Sequence, residues 1–153
     1  MNWVQDLFTN IILMTSICSW LTAQVLKTII YAAINKKIDF KRLVGDGGMP
    51  SGHSATVTSL AVMCGLIHGV DSSQFAISAI FAIVVCHDAM GVRLETGKQA
   101  VIINEMLAVF DALTSKQLPE VKLKEFVGHT PLQVIAGILL GIANALVIYF
   151  FIV

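Results

Sequence analysis

The sequence predicts an all-α integral membrane protein, and three observations support this prediction. The chain has 153 residues, which is the length of a single domain, here residues 1–153. Hydrophobic residues make up 56% of it and charged residues only 13%, whereas a soluble domain is about 25% charged. Four apolar segments approach the length of about 20 residues that spans a bilayer. We therefore expect a helical bundle of about four transmembrane helices with an amphipathic helix at its cytoplasmic face.

The first apolar segment, from about Trp3 to Asn35, is longer than one span needs. Tilting, projection beyond the bilayer, or a break between Ser16 and Ser19 would each accommodate the excess length. The segment lacks the basic leader and small-residue cleavage site of a signal peptide, so we expect it to be retained. The other predicted spans cover Ser54–Gly69, Ser73–Val92 and Pro131–Val153.

The connection between the third and fourth spans contains the predicted amphipathic helix. Residues 97–115 read GKQAVIINEMLAVFDALTS, in which large apolar residues recur at helical spacing. This helix would lie either at the membrane surface or packed against the bundle, and the sequence leaves both positions open. The apolar residues that set this pattern are Ile102, Ile103, Met106, Phe110 and Leu113.

The basic residues predict the orientation of the chain. Of ten Lys and Arg residues, nine lie in segments 36–42 and 93–124, and the tenth is Lys27 inside the first span. Because basic loops stay in the cytoplasm, this face is expected to be cytoplasmic, in a bacterial plasma membrane. The net charge of zero gives no electrostatic argument for a nucleic-acid partner. The three cysteines lie within apolar runs, which predicts neither a disulfide framework nor a metal site.

Two candidate helix starts on this face carry a histidine. In GDGGMPSGHSA, residues 45–55, glycines such as Gly48 permit positive φ, Ser51 or Ser54 can cap a helix, and His53 follows. In GHTP, residues 128–131, His129 precedes a Thr-Pro pair suited to the N-cap and first helical position. Helix starts attract anions through unpaired N–H groups and the helix dipole. Two imidazoles there could attack a phosphorus atom and protonate its leaving oxygen.

Charged residues near these starts are further candidates. Lys27 is costly inside an apolar span and shares a helix face with Gln24 and Tyr31. Arg93 could clamp a phosphate. Asp88 could orient a histidine, or pair with Arg93 or Lys27. In the fourth span, Gly137 and Gly141 show the small-residue spacing of close helix packing, which leaves a homodimer open. Gly65 and Gly69 repeat that spacing in the second span.

Three blocks of the sequence resemble a known superfamily. GGMPSGHSA resembles the PSGH motif of the type 2 phosphatidic acid phosphatase (PAP2) superfamily, which includes vanadium haloperoxidases. GHTPLQVIAG resembles its third motif, a histidine followed by an acidic residue four positions on. HDAMGVRLETGKQA, residues 87–100, is similar to a block of the small divergent PAP2 family of membrane proteins.

The resemblance implies a role for each matching residue. His129 matches the nucleophile that forms a phosphohistidine, and His53 matches the acid that protonates the leaving group. Ser51 and Gly52 match phosphate-binding positions, and Lys27 stands for the lysine of the first motif. No metal or other cofactor is implied.

The sequence also departs from the superfamily pattern. The Arg-Pro pair expected after Lys27 and the Ser-Arg pair expected before His129 are missing, and the orienting acid falls at Gln133. We therefore expect either hydrolysis of a lipid phosphate or diphosphate through a phosphohistidine, or a non-enzymatic binder or transporter of anionic lipid head groups. A membrane lipid is the expected substrate or ligand in both cases.

Overall fold

The structure, a computed structural model, describes residues 2–37, 48–114, 123 and 128–153. Within these residues every regular element is a helix, which confirms the all-α prediction. Outside the described residues lie Lys41 and Arg42 of the first basic segment, and Gly45 and Asp46 of the 45–55 stretch. The helices are α1 (Trp3–Thr9), α2 (Ile11–Asn35), α3 (Gly52–His68), α4 (Ser73–Met90), α5 (Val92–Thr114) and α6 (Pro131–Ile152).

Three stretches of the described chain are long and apolar enough to cross a membrane, so the predicted count of four is not confirmed. They are Ile11–Asn35, Ser73–Phe110 and Pro131–Ile152. The predicted span that is missing from these three is the second one, Ser54–Gly69, which corresponds to α3, a helix of 17 residues. It packs against α2, α4 and α6. Because protein surrounds α3 on these sides, buried hydroxyl residues replace the large apolar side chains that a lipid-facing helix would need: Ser54, Thr58 and Ser59.

The first apolar segment breaks at Asn10, and the prediction of a break between Ser16 and Ser19 is wrong. Asn10 has an extended backbone, and its side chain accepts the N–H of Leu13 at 3.1 Å, which caps α2. Ser16 donates its hydroxyl to the carbonyl of Ile12 at 3.0 Å, so a polar residue is accommodated within the continuous helix.

The paired glycines of α6 bring it against α3. A Cβ at Gly137 would lie 2.5 Å from the carbonyl oxygen of Ser51, and one at Gly141 would lie 2.5 Å from that of Ala55. Residue numbers rise together along this contact, so α3 and α6 are parallel and start at the same end of the bundle. The glycine spacing therefore serves packing within the chain, and the homodimer remains a prediction.

The end of α4 meets the start of α6. The N–H of His129 donates to the carbonyl of Ala89 at 3.0 Å. Ala89 also belongs to a small buried cluster that joins α3, α4 and α6. The other members are Val57, Cys86 and Val134. Gly91 separates α4 from α5, which is the helix predicted between the third and fourth spans.

Candidate functional site

The two histidines that the sequence places at helix starts lie side by side. The ring centroids of His53 and His129 are 6.4 Å apart, with an interplanar angle of 57°. His53 is exposed, whereas His129 is only 3% exposed. The parallel packing of α3 and α6 produces this arrangement, because it places both helix starts at one end of the bundle.

The start of α6 fixes the orientation of the buried imidazole. Nδ1 of His129 lies 3.2 Å from Oε1 of Gln133, and the backbone N–H of Thr130 donates to the same oxygen at 3.2 Å. A backbone N–H can only donate, so this Gln133 atom acts as an acceptor. Nδ1 of His129 therefore donates to Gln133, and in the neutral tautomer that keeps this bond the lone pair lies on Nε2.

The start of α3 is capped by Ser51. Its hydroxyl accepts the backbone N–H of Ser54 at 3.3 Å and the Ser54 hydroxyl at 3.0 Å. Its own N–H donates to the backbone carbonyl of Gln133 at 3.0 Å. These polar atoms of the fully buried Ser51 are bonded within the protein, so its predicted contact with phosphate stays a prediction. The N–H groups of Gly52 and His53 belong to the first turn, which has no intrahelical acceptor for them.

Gln133 connects the two helix starts, which sequence reasoning did not predict. Its backbone carbonyl holds Ser51 at the start of α3, and its side chain holds His129 before the start of α6. The sequence gives position 133 as the orienting position, but a backbone bond between distant segments leaves no sequence pattern. Gly48, with φ of 103°, lies just before the capped turn in a conformation that favours glycine.

Arg93 and Asp88 pair with each other beside the site. Arg93 Nε donates to Asp88 Oδ2 at 2.7 Å, and the two side chains are 51% and 41% exposed. The sequence left three partners open for Asp88: a histidine, Arg93 and Lys27. The described contacts show the pair with Arg93. The backbone of Arg93 and Leu94 packs directly against Gly128, which has φ of 88° and precedes His129.

Lys27 lies buried on the face of α2 that also reaches the start of α3. It is 3% exposed, and Gln24 on the same face is 6% exposed. Trp20 continues this face, because residues 20, 24 and 27 are spaced by four and three. A Cβ on Gly52 would lie 3.4 Å from Cδ1 of Trp20. Sequence reasoning missed Trp20 as a wall of the site, although its spacing from Lys27 could have indicated it.

An apolar groove of about 380 Å³ opens between α3, α4 and α6 beside the buried cluster. Its lining includes one hydroxyl and one imidazole, from Thr58 and His87, and is otherwise apolar or sulfur-bearing. Ligand pockets start at about 300 Å³, so the groove has room for part of a hydrocarbon chain. The other lining residues are Ala82, Ile83, Cys86, Met90 and Ile138.

The described residues offer no metal centre. Among them, no group of three or more His, Cys, Asp or Glu side chains could hold an ion. What the site does offer is two imidazoles and the first-turn amides of a helix, and Lys27 is buried farther along the α2 face whose Trp20 meets Gly52.

Comparison with known proteins assigns the family. The model of the divergent PAP2 family matches residues 8–144. The chain is also 41% identical over 155 residues to the uncharacterized membrane protein YuiD of Bacillus subtilis (strain 168), covering 95% of this chain and 98% of that protein. No solved structure matches the chain. The protein is therefore a membrane protein that belongs to the divergent PAP2 family.

Proposed function

We propose that this protein hydrolyses the phosphate or diphosphate group of a membrane lipid at the His53–His129 pair. The observation that carries the proposal is the asymmetry of that pair. One imidazole is buried and oriented by an amide, the other is exposed, and their centroids are 6.4 Å apart. Nucleophilic catalysis needs an oriented nucleophile, and general acid catalysis needs a proton donor that exchanges with water.

The proposed reaction has two steps. In the first, Nε2 of His129 forms a bond to phosphorus, and the bond between phosphorus and the lipid oxygen breaks. His53 gives its proton to the departing oxygen. In the second, water attacks the phosphohistidine, its proton passes to His53, and the bond between phosphorus and nitrogen breaks to release phosphate. No oxidant, reductant or metal enters this balance.

Neighbouring groups would stabilise the phosphate charge. The first-turn amides of α3 and the positive end of its dipole favour an anion at His53. Lys27 adds a cation on the α2 face that reaches Gly52. Arg93 would contribute after exchanging its exposed bond with Asp88 for one with phosphate, because an exposed ion pair is worth about 1 kcal/mol or less.

A lipid is the proposed substrate because the apolar groove lies close to the histidine pair. The groove and the buried cluster share Cys86, and the cluster includes Ala89, whose carbonyl holds the N–H of His129. A hydrocarbon chain in the groove would therefore lead toward the phosphate site. The exposed Lys36 and Lys37 follow α2, and the positive-inside rule supports a cytoplasmic position for that basic face and for the proposed site.

A second candidate function is non-catalytic binding or transport of anionic lipid head groups. Gln133 favours it, because an amide orients His129 but cannot stabilise the imidazolium as a carboxylate does. Helix starts that point at an anion are also a device of transporters.

Phosphate release from purified protein in lipid vesicles separates the two functions. Phosphatidate and a polyprenyl diphosphate serve as substrates, and His129→Ala and His53→Ala serve as test variants. His68→Ala is the matched control, because this exposed histidine lies at the opposite end of α3 from His53. Hydrolysis that both test variants lose and the control retains supports the proposal. Saturable lipid binding by the wild type with no release of phosphate would establish the binder instead.

A further inference from the structure

Helix α5 carries its large apolar residues on the side that faces away from the protein. Among the α5 side chains that the structure describes, the buried ones are small, Gly97 and Ala100. About half a turn away from them, four large side chains are 56–79% exposed. The four are Ile102, Met106, Val109 and Leu113. Together with Ile103 and Phe110, they form the surface that we call the outer face of α5.

The width of the outer face indicates what covers it. At 100° per residue, the arc from Val109 to Ile103 spans about 120°. A helix seam that pairs with one other helix is a narrower stripe of two positions per heptad, whereas an arc of 100° or more suits a broad apolar environment. Ile103 and Phe110 widen the arc beyond such a seam, and both are more than 40% exposed.

The position of α5 along the chain points to the bilayer. The 18 residues of α4 extend about 27 Å, which nearly equals the hydrocarbon thickness of about 30 Å. Helix α5 follows after Gly91 alone, so in a bilayer that α4 spans, α5 would begin near the edge of the hydrocarbon core. The exposed side of α4 is itself apolar, with Ile77, Ile80 and Val84 each more than half exposed. The outer face of α5 therefore continues from a lipid-facing surface.

We propose that the outer face of α5 lies in the interfacial layer of the lipid bilayer. Apolar burial drives the contact, because the described part of α5 has no basic polar face: Lys98 is paired with Glu95 at 2.7 Å, and the exposed Glu105 is acidic. Attraction to anionic lipid, which requires a basic polar face, is not needed. The contact is therefore expected to be as strong on zwitterionic vesicles as on anionic ones, and to be insensitive to salt.

This placement bears on the site, because other parts of α5 hold the segment that leads to His129. The side chain of Asn104 makes two hydrogen bonds to the backbone of Leu123, at 2.9 and 3.0 Å. Nearer the start of α5, Gly128 packs on the backbone of Arg93 and Leu94. A helix seated on lipid would thus support the chain immediately before the buried histidine.

Spin labels test the proposal. In a chain with its three cysteines replaced by alanine, nitroxides are attached at Met106→Cys, Val109→Cys and, as the matched control, Ala108→Cys. Ala108 is exposed but lies about 160° around the helix from Met106. In phosphatidylcholine vesicles, the two outer-face labels are expected to show several-fold higher accessibility to oxygen, relative to a nickel chelate, than the control label. Vesicles containing phosphatidylglycerol should give the same result.

Two outcomes would overturn the proposal. Equal nickel accessibility at all three positions would place the outer face in water. Dipolar broadening at Met106 that disappears on dilution with unlabelled protein would show that a second copy covers it. Val109→Trp in the chain that keeps its cysteines gives an independent reading, because lipids brominated near the head group should quench its added fluorescence.

Discussion

The starts of α3 and α6 are built from similar residues but place their histidines in different surroundings. At α3 the histidine follows the capping serine, lies in the first turn and is exposed. At α6 the histidine precedes the capping threonine, lies outside the helix and is buried. A bond from its N–H to Ala89 and one from its ring to Gln133 hold it in place.

This difference indicates how a pair of like residues can divide two chemical roles. The bonds to the backbone N–H and to ring Nδ1 of His129 fix the orientation of its imidazole, which suits a nucleophile. An imidazole in contact with water can collect and release protons, which suits an acid and base. The position of each histidine relative to its helix cap, one residue before or two after, sets this division.

The largest effects are expected from removing each histidine, and substrates with different leaving groups distinguish the nucleophile from the acid. His129→Ala should lower the release of phosphate from both a lipid phosphate and p-nitrophenyl phosphate by about 10³-fold or more, since the bond-forming atom is gone. His53→Ala should lower lipid phosphate hydrolysis by about 10²-fold or more, but should spare most of the first step with p-nitrophenyl phosphate, whose leaving group needs no proton. The measurement is the burst of p-nitrophenol in each variant. Equal losses with both substrates would remove the proposed division of roles.

The second-largest effect is expected from a substitution that breaks the contact between the starts of α3 and α6. Gly137→Ala introduces a Cβ that would lie 2.5 Å from the carbonyl of Ser51, so α6 must move away from α3. Overpacking of this kind costs about 1–3 kcal/mol, and hydrolysis should fall because the histidines separate. Melting temperature and hydrolysis rate are the measurements.

Gly65→Ala is the matched control for that substitution. It meets the ring of Phe75 at 3.0 Å, far from the histidines, and the ring can shift. Its effect on hydrolysis should be small. An unchanged rate in Gly137→Ala would show that the close packing of α3 and α6 does not position the pair.

A smaller effect is expected from Gln133→Glu, which sharpens the difference between the starts. The carboxylate can accept the same two hydrogen bonds, and it stabilises the imidazolium that develops on His129. We expect hydrolysis to increase about tenfold, equivalent to about 1.4 kcal/mol of transition-state stabilisation. Gln133→Ala, which loses both bonds, should decrease it. A lower rate in Gln133→Glu would indicate that the site is built for binding alone.

The smallest effect is expected at Asp88. Its bond to Arg93 is exposed on both sides, so Asp88→Asn should change the free energy of unfolding by less than about 1 kcal/mol. Thermal unfolding in detergent measures this change. A much larger loss would mean that Asp88, rather than Gln133 alone, supports a buried group such as His129.

The sequence predicts the elements of this fold better than their surroundings. Apolar length and cap residues locate α3, α4 and α6 within about two residues, because Ser51, Ser72 and Thr130 are strong local signals. The break at Asn10 was missed because polar residues at 16–19 look disruptive, yet hydroxyls there can bond back to the helix. The central position of α3 was missed, although the hydroxyl residues Ser54, Thr58 and Ser59 distinguish it from a lipid-facing helix.

The candidate site shows the same contrast between what the sequence predicts and what depends on packing. The presence of His53 and His129 on one face follows from topology, since alternating spans bring both helix starts there, whereas their adjacency also needs the packing of α3 on α6. Three other contacts depend on how each helix is rotated and how closely it approaches its neighbour. They are the pair of Arg93 with Asp88, the internal bonds of Ser51 and the contact of Trp20 with Gly52. Those variables are set by packing, here by Gly137 and Gly141 against α3, and no local pattern specifies them.

The most direct test of the central claim, that both imidazoles contact one phosphate-like anion, is a titration with orthovanadate followed by NMR of histidine labelled with nitrogen-15. The four histidines of the chain provide their own controls. We expect the ring resonances of His53 and His129 to shift together with a single Kd, while His68 stays unchanged. Shifts at only one of the two, or at different vanadate concentrations, would contradict it.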